Sequence, residues 1–135
     1  MYEKVDEVLS ENSSDNYFFD DEFLYVQELL SGFTENDWKD LTHNLKNKEE
    51  KYKIRLAYCI DEETGINGFN VLLELLHEND EVVEYALDSL RSFDGESYRN
   101  LIISDKAIIG KAENLLKNAS LPVKRILEAF LQQNK

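Results

Sequence analysis

The segment from Gly68 to Phe93 constrains the fold most, because it predicts two short helices joined by a polar turn. Each half carries apolar residues at spacings of three and four, which is typical of an amphipathic helix. These residues are Phe69, Leu72, Leu73, Leu75 and Leu76 in the first half, and Val83, Ala86, Leu87 and Leu90 in the second. Between them lies a polar break ending in Asp80, the predicted N-cap of the second helix. Such a hairpin cannot bury its apolar stripes alone, so it requires similar neighbours.

Two further hairpins are predicted on either side of this segment. In residues 34–60, Thr34 and Asp37 have the spacing of a capping box at the start of a helix. In residues 106–133, Pro122 falls in the first turn of the second helix, where its missing N–H costs nothing. The apolar segment before the third hairpin, LIIS, is predicted to be a helical turn, because an isolated strand would have no partner.

Residues 1–33 are predicted to be capping helices at the N-terminal side of the hairpins. A short amphipathic helix comes first, followed by a break at Ser10–Asn16. The next helix is expected to begin near Asp20 and Asp21, whose charges favour a helix N-terminus, and to end at Gly32. Its predicted stripe is Phe23, Leu24, Val26, Leu29 and Leu30.

Composition favours one domain spanning residues 1–135. The chain has one proline, five glycines and no linker-like or long apolar segment, so no flexible tether and no membrane span are expected. Acidic residues occupy the N-terminal positions where a secretory signal needs positive charge, which predicts a cytoplasmic protein. The single cysteine, Cys59, lies in an apolar run and is predicted to be a buried small residue.

The formal net charge is −13, from 28 acidic residues against 15 lysines and arginines. The excess is concentrated at the N-terminal side, whereas residues 101–135 carry a positive balance. A field of this sign repels nucleic-acid phosphates and anionic membranes and attracts a basic protein. An acidic surface that merely maintains solubility explains the total charge equally well.

No motif in the chain predicts catalysis, a metal or a cofactor. His43 and His77 belong to no metal-ligand spacing and are expected to be exposed. The acidic runs at residues 20–22 and 61–63 consist of neighbouring side chains, which do not converge on one point. The sequence therefore predicts a protein that is not an enzyme and has no cofactor.

A partner-binding surface is predicted on the second helix of the central hairpin. Removing its core positions leaves one acidic face with a tyrosine beside it. A solvated helix face remains an equal alternative. The predicted contact residues are Glu81, Glu84, Tyr85 and Asp88 on this helix, with Asp61, Glu62, Glu63, Asp20 and Asp21 as outlying positions.

The central hairpin, LLELLHENDEVVEYALDSL, resembles a HEAT repeat. A shift of 31 positions places Trp38 on Phe69, and a shift of 40 places Leu87 on Leu127. The resemblance covers residues 34–133 and implies an all-α, HEAT-like stack of antiparallel hairpins, either a right-handed superhelix or an irregular helical bundle. In such a stack the second helices line the concave side.

A small, acidic, all-helical chain with a binding face also resembles bacterial immunity proteins that neutralise secreted or contact-delivered toxins. This resemblance implies a basic protein toxin as the partner, a nuclease domain above all, whose phosphate-binding site would be occluded by acidic side chains and aromatic anchors. A HEAT-like scaffold or adaptor is the alternative. The oligomeric state is not predicted.

Overall fold

The computed structural model describes residues 1–135 as helices joined by short turns, so the all-α prediction is confirmed. The α-helices are α1 (Tyr2–Ser10), α2 (Asp15–Tyr17), α3 (Phe23–Ser31), α4 (Glu35–Leu45), α5 (Glu50–Cys59), α6 (Gly65–Leu75), α7 (Asp80–Leu90), α8 (Glu96–Ser104), α9 (Lys106–Leu116) and α10 (Leu121–Gln133). A π-helical stretch (Phe18–Glu22) joins α2 to α3, and a 3-10 turn (Glu62–Thr64) precedes α6. None of the helices combines the length and hydrophobicity needed to cross a bilayer.

Local sequence signals set most helix boundaries. Thr34 and Asp37 form the predicted capping box, and α10 has its predicted bounds with Pro122 in its first turn. Asn79 rather than Asp80 caps α7, because the Asn79 side chain accepts from the N–H of Val82. The loop predicted to continue to Gly68 ends earlier, since α6 starts at Gly65.

The helix predicted to begin near Asp20 starts five residues earlier. Ser14 is its N-cap and accepts from the N–H of Tyr17, so Asp20 and Asp21 lie inside the helical path rather than at its start. Helical structure is continuous from Asp15 to Ser31, and we call this element helix 15–31. Both Asp20 and Asp21 are exposed.

Helices α5, α7 and α10 pack side by side in chain order, whereas α4 packs mainly on α1 and not on α5, so the first predicted hairpin is not closely packed. On the other side of α5 lies α3, while α6 packs on α7 and α9 packs on α10. The N-terminal helix α1 contacts α3, α4 and α5. The segment predicted to be a helical turn is the nine-residue helix α8, which packs against α9.

One contiguous apolar core runs from Val5 to Phe130. It contains all but one of the predicted stripe residues of the central hairpin, Leu73 being partly buried. Cys59 is buried as predicted, and burial raises the pKa of its thiol. The prediction for Leu24 is wrong: its side chain is 58 % exposed, because α3 turns Val26 and Leu30 toward the core instead.

Two cations of α5 are buried among the core positions, which the sequence analysis did not anticipate. Lys53 Nζ lies 2.7 Å from Glu78 Oε1, so the ion pair ties α5 to the turn before α7. The side chain of Arg55 is fully buried and faces the segment that leads into helix 15–31. A buried charge is tolerated only when it is paired and hydrogen-bonded. Lys53 is paired with Glu78, and Arg55 Nη2 lies 3.3 Å from Asp15 Oδ1, but Arg55 Nε has no hydrogen-bond partner.

Candidate binding cleft

The packing of α5, α7 and α10 leaves an open cleft with two compartments. The first has a volume of about 410 Å³ and is lined by Asp15, Phe19, Glu49, Glu50, Lys51, Ile54, Arg55, Glu81 and Tyr85. The second has a volume of about 260 Å³ and is lined by Glu81, Glu84, Tyr85, Asp88, Val123 and Ile126. Glu81 and Tyr85 line both compartments, which are therefore adjacent. We call them together the acidic cleft.

The polar wall of the acidic cleft follows from the periodicity of α7. This helix buries one apolar face, comprising Val82, Val83, Ala86, Leu87 and Leu90. The remaining positions bring Glu81, Glu84, Tyr85 and Asp88 to the opposite side, where neighbouring α10 contributes Val123 and Ile126. The four residues predicted on this helix are therefore side by side along one cleft.

An aromatic cluster forms the N-terminal edge of the cleft. The rings of Phe19 and Tyr85 are stacked, with centroids 6.1 Å apart and an interplanar angle of 8°. Tyr58 packs edge-on against Phe19 at 4.7 Å and against Phe23 at 5.2 Å. Aromatic side chains that are partly exposed beside polar groups are typical anchors in protein interfaces.

Carboxylates crowd the cleft. The hydrogen bond that the Glu81 carboxyl shares with that of Glu50 raises the pKa of Glu81, with burial and the charge of Glu50 acting in the same direction. Burial first, and then the charges of Glu81 and Asp80, raise the pKa of Glu84. Like charges held this close repel, so the unliganded cleft favours the approach of a cation.

The two cations that line the first compartment are already engaged by the N-terminal segment. Lys51 Nζ donates to the carbonyl oxygen of Ser13 at 3.1 Å, and Arg55 donates to the carbonyl oxygens of Glu11 and Ser13. At the other end of the cleft, Arg91 Nη1 lies 2.8 Å from Asp88 Oδ1. Arg55 Nη2 also lies 3.3 Å from Asp15 Oδ1, so Asp15 and Asp88 each have a cationic partner, whereas Glu50, Glu81 and Glu84 take part in no ion pair.

The outlying predicted residues do not line the acidic cleft. Asp61 caps the 3-10 turn by accepting from the N–H of Glu63, and this turn packs against α3. Glu62 and Glu63 are exposed on that turn, and Asp20 and Asp21 are exposed on helix 15–31. None of these positions lines either compartment of the acidic cleft.

The predicted contact residues omit nine residues of the cleft wall: Asp15, Phe19, Glu49, Glu50, Lys51, Ile54, Arg55, Val123 and Ile126. They lie more than 25 positions from Glu81 in the chain, so periodicity within α7 holds no information about them. The acidic pair Glu49–Glu50 at the start of α5 was a usable signal. Both α5 and α7 begin with acidic residues, and when two such helices pack in parallel, their acidic first turns lie next to each other.

No three residues among the histidines, cysteines and acids are arranged to hold a metal ion. The arrangement can bind cationic side chains by charge and aromatic contact. The chain matches no protein-family model, no curated protein and no solved structure.

Proposed function

We propose that this protein is a cytoplasmic immunity protein that neutralises a basic bacterial toxin, a nuclease domain, by stoichiometric binding. The observation that carries the proposal is the acidic cleft, in which six carboxylates surround a partly exposed aromatic cluster. A nuclease presents lysines and arginines where it binds phosphates, and a row of carboxylates is complementary to that surface.

Within this proposal the cleft acts in two ways. The carboxylates of Glu50, Glu81 and Glu84 attract the basic rim of the toxin and take the place of substrate phosphates. Phe19 and Tyr85 supply apolar contact area, which slows dissociation once the charges have met. Binding also relieves the repulsion between Glu50 and Glu81, because a cation seated between them favours the ionised forms.

The test takes as its toxin the C-terminal domain of a large secreted protein, where one is encoded beside the gene for this chain. Coexpression of this chain should restore growth, and titration of the purified pair should give one-to-one binding that weakens as salt rises. The variant Glu81→Lys/Glu84→Lys/Asp88→Lys should weaken binding at least about a hundredfold, since three contacts become repulsive.

A matched variant controls for net charge. Asp40→Lys/Glu74→Lys/Glu113→Lys changes the same number of exposed acids outside the cleft and should weaken binding less than about tenfold. Equal effects of the two variants would mean that only the overall charge matters and would reject the cleft as the site. A third variant, Asp20→Lys/Asp21→Lys/Glu62→Lys/Glu63→Lys, measures whether the outlying acids contribute.

A HEAT-like scaffold or adaptor is the second candidate, favoured by the side-by-side packing of α5, α7 and α10 in chain order. In a HEAT-like stack these second helices form the concave binding surface, on which the acidic cleft would lie. Absence of toxicity in the neighbouring domain, together with a stable host complex that depends on Glu81, Glu84 and Asp88, would favour this function.

A further inference from the structure

Helix 15–31 has a solvent-facing side that no other element of the chain covers. Three large apolar side chains on it are exposed, Tyr17 by 53 %, Leu24 by 58 % and Tyr25 by 46 %. Acidic residues alternate with them. The outer face, as we call this surface, consists of Tyr17, Asp20, Asp21, Leu24, Tyr25 and Glu28, all of which are exposed.

The six residues form two parallel rows along the helix. Tyr17, Asp21 and Tyr25 recur at every fourth position, and Asp20, Leu24 and Glu28 do the same beside them. In an α-helix, positions of this spacing form the ridges by which one helix packs against another. Here the π-helical stretch Phe18–Glu22 interrupts both rows, and Leu24, Tyr25 and Glu28 follow it in α-helical geometry. Widened turns of this kind recur at functional positions in helices.

The charge around the outer face selects among possible occupants. No lysine, arginine or histidine occurs between Glu11 and Trp38, so the face carries no cation of its own. A second copy of this chain would bring Asp20, Asp21 and Glu28 against identical acids, which disfavours self-association. A partner with basic residues flanking an apolar stripe can pair its cations with the carboxylates of the outer face and cover the exposed apolar side chains.

We propose that the outer face is a docking surface for a basic amphipathic helix of a protein partner. The apolar stripe of that helix covers Tyr17, Leu24 and Tyr25, and its lysines or arginines meet the alternating carboxylates. Tyrosines suit this role because they supply a large contact area with few rotatable bonds. The surface is distinct from the acidic cleft, whose aromatic residue on the same helix, Phe19, points toward Tyr58 and Tyr85.

The experiment measures the affinity of a labelled synthetic Leu/Lys peptide whose leucines follow the i, i+3, i+4, i+7 pattern. A peptide of the same composition in scrambled order is the reference. The ordered peptide should bind at least about tenfold more tightly than the scrambled one. The variant Tyr17→Ser/Leu24→Ser/Tyr25→Ser should bind the ordered peptide at least about tenfold more weakly than the wild type does.

Two matched variants make the result specific to this surface. Ile66→Ser/Leu101→Ser/Leu121→Ser removes three other exposed apolar side chains and should change the affinity less than about twofold. The second pair of variants each remove three negative charges. The salt dependence of peptide binding should fall more in Asp20→Asn/Asp21→Asn/Glu28→Gln, which changes the outer face, than in Glu81→Gln/Glu84→Gln/Asp88→Asn, which changes the cleft.

Equal binding of the ordered and scrambled peptides, or equal losses from the two serine variants, would overturn the proposal. Sedimentation of the wild type as a dimer that Tyr17→Ser/Leu24→Ser/Tyr25→Ser converts to monomer would also overturn it, in favour of a second copy. The toxin titration with Glu81→Lys/Glu84→Lys/Asp88→Lys tests the cleft, and the peptide assay with Tyr17→Ser/Leu24→Ser/Tyr25→Ser tests the outer face, so each surface can fail without the other.

Discussion

The guanidinium carbon of Arg55 lies 4.7 Å from the centroid of the Phe18 ring, so a fully buried cation on α5 is covered by the first aromatic residue of the π-helical stretch. Arg55 Nη1 donates to the carbonyl oxygen of Glu11 at 3.1 Å, and Nη2 donates to that of Ser13 at 2.9 Å. These bonds fix the start of helix 15–31. Both Asp15 and Phe19 of the acidic cleft, and the whole outer face, depend on that position.

Arg55→Met should lower the free energy of unfolding by about 2–4 kcal/mol, because the carbonyl group of Glu11 loses its charged donor, that of Ser13 keeps only Lys51, and Asp15 loses its ion-pair partner. Arg55→Lys should recover only part of the loss, since a single ammonium cannot reproduce the planar fork. Urea unfolding at neutral pH measures both. Arg125→Met, an exposed arginine on α10, is the control and should stay within about 0.5 kcal/mol of wild type. An unchanged unfolding midpoint in Arg55→Met would contradict the role assigned to Arg55.

The Asp6 carboxylate is held by Lys48 Nζ at 2.8 Å and by the hydroxyl group of Tyr52 at 2.9 Å. Burial opposes ionisation, but these hydrogen bonds prevail and hold the pKa of Asp6 below its ordinary value of 3.8. The carboxylate therefore stabilises the fold above pH 3.8, and this contribution is lost as the pH falls through the lower folded-state pKa.

Asp6→Asn should accordingly cost about 1 kcal/mol at pH 7, and the cost should shrink as the pH falls below 3.8. Urea unfolding of wild type and variant at a series of pH values measures the difference. Glu7→Gln, the exposed neighbour, should differ little from wild type at any pH. A penalty for Asp6→Asn that is the same at acidic and neutral pH would show that the hydrogen bonds do not depend on the charge.

The hydrogen bond shared by the carboxyl groups of Glu81 and Glu50 predicts a contribution to stability with the opposite pH dependence to that of Asp6. Because the pKa of Glu81 is raised in the fold above its ordinary value of 4.5, protonated Glu81 is the better accommodated form. The stabilisation is present below pH 4.5 and is lost as the pH rises through the folded-state pKa. Glu81→Gln should therefore give a small gain in thermal midpoint at neutral pH and none in acid.

Thermal unfolding of Glu81→Gln, Glu50→Gln and the double variant measures this repulsion. The double variant should gain no more than about the larger single gain, because either change removes the like-charge pair. Glu74→Gln, an exposed acid on α6 away from the cleft, is the control. Fully additive gains would indicate that Glu50 and Glu81 respond to the general charge of the protein and not to each other.

Two glycines inside helices predict opposite effects of the same substitution. A Cβ atom added at Gly68 in α6 would lie 1.7 Å from Thr64 Oγ1 and 2.6 Å from Thr64 Cβ, so the 3-10 turn would have to move. At Gly110 in α9 an added Cβ meets nothing within 4 Å. Gly68→Ala should cost about 1–3 kcal/mol, whereas Gly110→Ala should add about 0.5–1 kcal/mol of stability.

Chemical unfolding of both alanine variants measures these effects, each serving as the control for the other. A gain in both would mean that the turn carrying Thr64 moves without cost. A loss in both would mean that the exposed position in α9 is restrained by something other than helix propensity.

Four of the thirteen residues that line the acidic cleft could be predicted from the sequence. Glu81, Glu84, Tyr85 and Asp88 follow from the period of α7, because removing the apolar positions of one helix leaves its polar face. Glu50 and Phe19 could not be found this way, since their closeness to Glu81 depends on how α5 and helix 15–31 pack against α7. The start of helix 15–31 was misplaced because the acids at positions 20–22 were stronger helix-start signals than Ser14, the residue that forms the cap.

The sequence by itself determined the all-helical class, most helix boundaries and the apolar stripes, because capping, periodicity and turn chemistry act between residues only a few positions apart. Only the tertiary structure decided that Arg55 and Lys53 are buried and that Leu24 is exposed. Whether a charge can be buried depends on partners far along the chain, here Ser13, 42 positions from Arg55, and Glu78, 25 positions from Lys53. The same long-range packing brings acids of α2, α5 and α7 around one cleft, where their mutual repulsion leaves a site that a cationic partner can neutralise.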